Sequence, residues 1–176
     1  IHDTLIADIE YSYDTSVPIA HSIAGAMTSN KSAVCEGYAK VMQLMMNCYE
    51  IENIYVTGIG NGGGHAWNMV RMNDRKYYWL DATWDDQPYE IFQHRYFLVG
   101  NSAFTDHVAD TPEGTGTSFL YALPEAAEES YVYDPDSGDS GDVKIKKGDI
   151  NGDGNINLID LMMCLNHVGR KDMLED

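Results

Sequence analysis

A segment with helical spacing is followed by strand-like runs, and this order sets the fold class. In residues 32–50 apolar side chains recur every three or four positions, which predicts a helix with Ser32 as its N-cap. A shorter helix is predicted at residues 2–10. Strand-like runs rich in aromatic and β-branched residues follow at 54–59, 65–72, 76–84, 96–99 and 118–122. Helices first and an antiparallel meander afterwards predict an α+β fold.

The connections between the first three predicted strands set the register of the sheet. Residues 60–64 form a glycine-rich loop, which we interpret as a mobile flap. Asn73 and Asp74 predict a tight turn before the third strand. A three-residue loop at 72–74 would place His65 directly opposite Asp81, whereas a two-residue loop would turn Asp81 to the other face.

Composition excludes several classes of partner. The chain has 176 residues, with 28 acidic and 11 basic side chains and a net charge of −17. Because it has no basic stripe, nucleic acids and anionic membrane surfaces are poor partners. It has no apolar run of the length that spans a bilayer, about 18 residues. Three cysteines are too few for a disulfide scaffold.

The chain divides into three parts by composition. Residues 1–133 carry the predicted helices and strands and form the larger predicted domain. Residues 134–146 are rich in Asp, Ser and Gly, which is typical of a linker. Residues 147–176 form a small second module.

Cys35 is the first candidate for chemistry. It lies in the first turn of the predicted helix 32–50, where free N–H groups and the helix dipole stabilise a thiolate. Gly37 would let another backbone or a substrate approach. The alternative is that Cys35 is a small buried residue. A disulfide with Cys48 is excluded while the helix is intact, because the two would lie roughly 20 Å apart along its axis.

His65 and Asp81 complete a possible triad with Cys35. A carboxylate that accepts a hydrogen bond from one imidazole nitrogen leaves the other nitrogen free to serve a thiol. Trp67 and Trp84 flank the pair and form either a wall of the site or ordinary core. The remaining histidines have no partner recognisable from spacing and are expected to be structural or exposed: His2, His21, His94, His107 and His167.

Three motifs give a family resemblance. Ser-Ala-Val-Cys-Glu-Gly-Tyr-Ala at 32–39, His-Ala-Trp-Asn at 65–68 and Leu-Asp-Ala-Thr-Trp at 80–84 resemble the transglutaminase-like superfamily of papain-fold proteins. The resemblance implies that helices pack on an antiparallel sheet. It also implies Cys35 as nucleophile, His65 as general base and acid, and Asp81 as the residue that orients the imidazole. Catalysis of this kind needs no cofactor.

Residues 149–160 carry the pattern of a calcium-binding loop. Oxygen-bearing side chains occupy positions 1, 3, 5 and 12, and Gly154 occupies position 6, where the chain turns sharply. The predicted Ca²⁺ ligands are Asp149, Asn151, Asp153, Asp160 and, through its backbone carbonyl, Asn155. An acidic turn without a metal is the alternative.

The segment around this loop resembles one repeat of a dockerin, the module that attaches enzymes to cohesins of a cellulosome-type scaffold. The resemblance covers residues 148–170 and implies a short helix after the loop. It implies cohesin contacts at Leu158, Ile159 and Met162. Dockerins carry two such repeats, and one is visible in this chain.

The sequence therefore predicts a secreted, extracellular or cell-surface thiol enzyme. It would cleave or transfer peptide or protein amides through a thioester, and hydrolysis is slightly favoured over cross-linking. The alternatives are a non-catalytic papain-fold module that binds protein or glycan, and an assembly protein whose main role is docking.

Overall fold

The computed structural model describes residues 1–29, 31–86, 94–110 and 122–132. The predicted linker at 134–146 and the predicted calcium module at 147–176 lie outside these residues. So does the predicted strand at 118–122, except for its last residue. Within the described residues, no helix has the length and apolar character needed to cross a membrane.

Four α-helices are described. They are α1 (His2–Asp8), α2 (Ile23–Met27), α3 (Cys35–Cys48) and α4 (Ala82–Asp85). The predicted helical spacing of 32–50 is confirmed in α3, whose buried face includes Tyr38, Val41, Met42 and Met45. This face packs on the central sheet strands and on α2. Short 3₁₀ helices occur at Pro18–His21 and Asn101–Ala103.

The predicted N-cap of α3 is wrong. Ser32 and Ala33 form the short strand β2 (Ser32–Ala33), which pairs in parallel with β1 (Glu10–Tyr11). This pairing keeps the chain extended until Val34, which is the N-cap and makes no side-chain capping bond. Cys35 is consequently the first residue of the helix and not its third.

The main sheet has five antiparallel strands in the order β6-β5-β4-β3-β7. The strands are β3 (Asn53–Gly60), β4 (Gly63–Arg71), β5 (Tyr77–Leu80), β6 (Phe97–Val99) and β7 (His107–Ala109). The mixture of helices and an antiparallel sheet confirms the predicted α+β class. Along β4, Asn68 donates a hydrogen bond to the Ala39 carbonyl of α3 at 3.0 Å, whereas Trp67 packs in a second core cluster with Phe104.

The glycine-rich loop is smaller than predicted. Gly60 and Gly63 pair with each other as the ends of β3 and β4. Only Asn61 and Gly62 form the turn, and both have positive φ angles, 46° and 84°. This is the backbone twist that favours two-residue hairpins. Residues 60–64 are therefore a tight hairpin end and not a flap.

The β4–β5 connection corrects the predicted register. Its loop has three residues, as predicted, but they are Asn73, Asp74 and Arg75, because the Met72 N–H donates to the Lys76 carbonyl at 3.0 Å. Arg75 has φ 65°, which is typical of the last residue of such a loop. Arg71 consequently pairs with Tyr77 and not with Arg75.

The predicted direct pairing of His65 with Asp81 is therefore wrong by two residues. A shift of two keeps both side chains on one face of the sheet, as the triad requires. The predicted third strand is also too long. It ends at Leu80, because the Asp81 carboxylate caps α4 and accepts hydrogen bonds from the N–H groups of Thr83 and Trp84 at 2.9 and 3.3 Å.

Candidate active site

Asp81 and His65 form the buried half of the site. His65 Nε2 lies 2.7 Å from Asp81 Oδ2, and Asp81 is fully buried. Its other oxygen, Oδ1, accepts the two capping hydrogen bonds of α4, so the helix start fixes the carboxylate orientation. Burial raises the pKa of Asp81, but hydrogen bonds from His107 and His65 outweigh it and hold that pKa below its usual value.

Cys35 lies on the opposite side of the His65 ring. Its side chain is half-buried at the N-terminus of α3 and hydrogen-bonds to His65. Since Asp81 engages Nε2, the ring nitrogen left for the thiol is Nδ1. Burial lowers the pKa of His65, but the hydrogen bonds and negative charge of Asp81 and Cys35 raise it to about 9 overall. The imidazolium form of His65 is thereby favoured at neutral pH.

Aromatic rings enclose His65 on the side away from Cys35. Trp84 stacks on it with ring centroids 5.0 Å apart, and Trp67 lies at 5.8 Å. Trp67 is buried core and a wall of the site at once, so the two interpretations of this residue do not exclude each other. A Cβ atom at Gly60 would lie 2.9 Å from the His65 ring and 3.0 Å from Trp84. Position 60 must therefore lack a side chain for this stacking to form.

His107 belongs to the same cluster, and sequence analysis missed it. His107 Nε2 lies 3.1 Å from Asp81 Oδ2, the oxygen that also contacts His65. Its Nδ1 lies 2.8 Å from Asp106 Oδ1. The contact depends on β7 pairing with β3, where His107 is in register with Gly60. No local pattern in the sequence indicates that pairing.

The other described histidines contact carboxylates outside this cluster. His2 Nε2 is 3.1 Å from Asp85, His21 Nδ1 is 2.9 Å from Glu36, and His94 Nε2 is 2.6 Å from Asp3. His2, Asp3 and His94 also bring three possible metal-ligating atoms within 4.8 Å of one another. The predicted Ca²⁺ ligands and cohesin contacts, like His167, lie outside the described residues.

A cavity of about 650 Å³ opens beside Tyr11 of β1. Burial, followed by the negative charges of Cys35, Tyr13 and Asp81, raises the pKa of Tyr11. The cavity is lined by charged and aromatic side chains, including Asp8, Glu10, Tyr11, Tyr13, Lys31 and Asp86. Cys35, His65 and Asp81 are not among the residues that line it.

Comparisons with known proteins find one family match and similar solved structures. Residues 1–82 match the Transglutaminase-like superfamily. The match includes Cys35, His65 and Asp81, and it does not extend to residues 147–176. A solved structure titled "Crystal structure of a TGase" is 19% identical with a TM-score of 0.39, over 45% of this chain and 24% of that chain. This chain thus spans about a quarter of that one. No curated protein matches.

The raised pKa of His65 predicts a pH-dependent stability. In a Cys35→Ala background, which removes the ionisation of this thiol, Asp81 still stabilises the imidazolium of the folded state. Because the pKa of an unfolded histidine is about 6.5, the stabilisation is complete below that pH and is lost as pH rises through the raised pKa of the folded state. We expect the free energy of unfolding to fall by about 1–3 kcal/mol across this range in urea titrations.

The matched comparison is Cys35→Ala with His65→Gln. Its unfolding free energy should change less between pH 6 and pH 9 than that of Cys35→Ala alone. Equal slopes in the two proteins would show that His65 gains no stabilising partner on folding.

Proposed function

We propose that the protein is a cysteine acyl-transfer enzyme that acts on amide bonds of peptides or proteins. The observation that carries the proposal is the continuous contact from Cys35 through His65 to Asp81. His65 uses one ring nitrogen for each neighbour, with Nε2 2.7 Å from the carboxylate. The match of residues 1–82 to the Transglutaminase-like superfamily supports the same chemistry.

Acylation begins with attack of the Cys35 sulfur on the carbonyl carbon of the amide. A tetrahedral oxyanion forms, and the Cys35 backbone N–H at the start of α3 is the first candidate donor to it. His65 then gives its Nδ1 proton to the leaving nitrogen, the C–N bond breaks, and a thioester remains on Cys35.

Deacylation reverses the proton transfer. His65 removes a proton from water or from an amine, and that nucleophile attacks the thioester carbon. The C–S bond breaks and the Cys35 thiolate leaves. Water gives a carboxylic acid, and an amine gives a new amide. We favour hydrolysis slightly, because no feature of the described site is specific for an amine acceptor.

Mass spectrometry of peptide mixtures tests the proposal. The wild-type chain and Cys35→Ala are each incubated with the mixture, and masses are compared. Cleavage, ammonia loss and cross-linking have distinct mass signatures, and we expect at least one of them with the wild type and none with Cys35→Ala. Cys48→Ala is the matched control, because Cys48 is exposed at the far end of α3 and should leave the products unchanged.

The alternative is a non-catalytic module that binds protein or glycan. It predicts identical masses with the wild type and with Cys35→Ala, and it predicts that iodoacetamide modifies Cys35 no faster than a free thiol at mildly acidic pH. The extracellular location, calcium binding by residues 149–160 and docking to a cohesin stay predictions from the sequence.

A further inference from the structure

The Asp81 carboxylate serves two imidazole rings. His65 and His107 both direct Nε2 at Asp81 Oδ2, at 2.7 and 3.1 Å. The two ring centroids are 5.5 Å apart. A triad needs one imidazole, so the second ring, whose side chain is 1% exposed, is not explained by the acyl-transfer steps.

Both nitrogens of His107 face carboxylates. Nε2 faces Asp81, and Nδ1 lies 2.8 Å from Asp106 Oδ1. Asp106 Oδ2 in turn accepts a hydrogen bond from the Tyr96 hydroxyl at 2.8 Å. Burial raises the pKa of Asp106, but the hydrogen bonds from Tyr96 and His107 outweigh it and hold that pKa below its usual value. A carboxylate only accepts hydrogen bonds, so each contact of His107 requires an N–H group.

The rings around His107 also suit a cation. Phe104 stacks on it at 3.9 Å with an interplanar angle of 11°, and Trp84 lies at 4.2 Å. A positive charge is attracted to the face of an aromatic ring. Hydrogen bonding and stacking therefore favour the same protonation state.

We infer that His107 is an imidazolium that Asp106 holds against Asp81, and that it is a positioning residue that sets the basicity of His65. The charges then alternate along the chain of contacts from Asp106 through His107, Asp81 and His65 to Cys35. His107 offsets part of the negative charge of Asp81. This limits how far Asp81 raises the pKa of His65. The inference rests on the proposed function for its catalytic meaning.

The titratable groups that face the two rings come from several elements. His107 faces Asp106, which precedes it in the chain, Asp81 at the start of α4 and His65 on β4. His65 also faces Cys35 on α3. Beyond Cys35 lie three further groups whose charges interact with this end of the site, namely Tyr11, Tyr55 and Glu36.

NMR of the histidine rings in the 176-residue chain tests the inference. In ¹⁵N spectra of the wild type at pH 7, both ring nitrogens of His107 should carry protons, and a neutral ring would overturn the inference. The pKa of His65 is then titrated in a Cys35→Ala background, so that the thiol does not overlap. Adding His107→Gln keeps a donor to Asp81 but removes the charge. It should raise the pKa of His65 by about one to two units at this separation.

A second variant removes the charge of His107 without replacing His107 itself. Asp106→Asn leaves His107 in place but removes the carboxylate that holds its second proton. Asp106 is about one third exposed, so this change is mild for folding. It should move the pKa of His65 in the same direction. His2→Gln is the matched control, because His2 is equally buried and lies 3.1 Å from a different carboxylate, Asp85.

The outcomes separate this inference from the proposed function, since the titration needs no substrate. If the pKa of His65 is unchanged in both His107→Gln and Asp106→Asn, the inference is wrong, even if Cys35-dependent products form. A shifted pKa of His65 without any Cys35-dependent product would support the inference and overturn the proposed function. A shift of the same size in His2→Gln would mean that buried imidazoles act only through stability, which would also overturn the inference.

Discussion

Asp81→Asn should lower kcat/KM for an amide substrate by about 10³–10⁴-fold, the size of loss seen when the acid of a serine triad is changed in this way. The amide keeps an oxygen for the N–H groups of Thr83 and Trp84, so α4 stays capped. Its NH₂ group then faces His65 Nε2 and donates to it. The ring proton of His65 must then move to Nδ1, which faces Cys35. A protonated Nδ1 cannot accept the proton of the thiol.

Two further variants separate orientation from folding. Asp81→Ala loses the cap as well and should cost about 0.5–2 kcal/mol of stability beyond its loss of activity. Asp85→Asn is the matched control, because Asp85 is as buried as Asp81 but binds the Tyr96 N–H at 2.9 Å and contacts His2. It should keep most of the activity. An Asp81→Asn protein within tenfold of the wild type would show that the carboxylate does not orient His65.

Local patterns predicted the main elements because their periods are strong. The helical spacing of residues 32–50 and the strand-like runs at 54–59 and 65–72 appear in the structure as α3, β3 and β4. The ends of these elements depend on distant partners. Ser32 has the chemistry of an N-cap, but its pairing with β1 holds it in a strand.

Three residues of the candidate site could be predicted from the sequence, but the contact of His107 with Asp81 could not. Cys35, His65 and Asp81 lie in motifs that are short enough to recognise. His107 reaches Asp81 only because β7 crosses to the outer side of β3, with His107 in register with Gly60. Such a pairing leaves no local period, and a single histidine between Asp106 and Val108 is uninformative. The predicted register of Asp81 is wrong for a related reason. Arg75 adopts a positive φ, and the loop between β4 and β5 lies one residue later than predicted.

Trp67→Ala is expected to cost about 3–5 kcal/mol of unfolding free energy, which is a large part of the 5–15 kcal/mol typical of a domain. Trp67 is 1% exposed, and its ring packs edge-on against His107 at 4.9 Å and Phe104 at 6.0 Å. A Cβ at Gly58 would lie 2.7 Å from this ring, so the backbone of β3 is fitted to it. Urea denaturation with a fixed m-value measures the loss.

Two tryptophan controls show whether burial is the cause. Trp79 lies in the same apolar cluster but is only half-buried, so Trp79→Ala should cost less, even though it loses a hydrogen bond to Asn101 at 2.9 Å. Trp67→Phe should also cost less than Trp67→Ala, because the Trp67 Nε1 has no hydrogen-bond partner among the described residues and its loss leaves none unpaired. If Trp67→Ala costs no more than Trp79→Ala, the ring does not hold the sheet and the histidine cluster together. The wall beside His65 would then have to rest on Trp84 and Phe104.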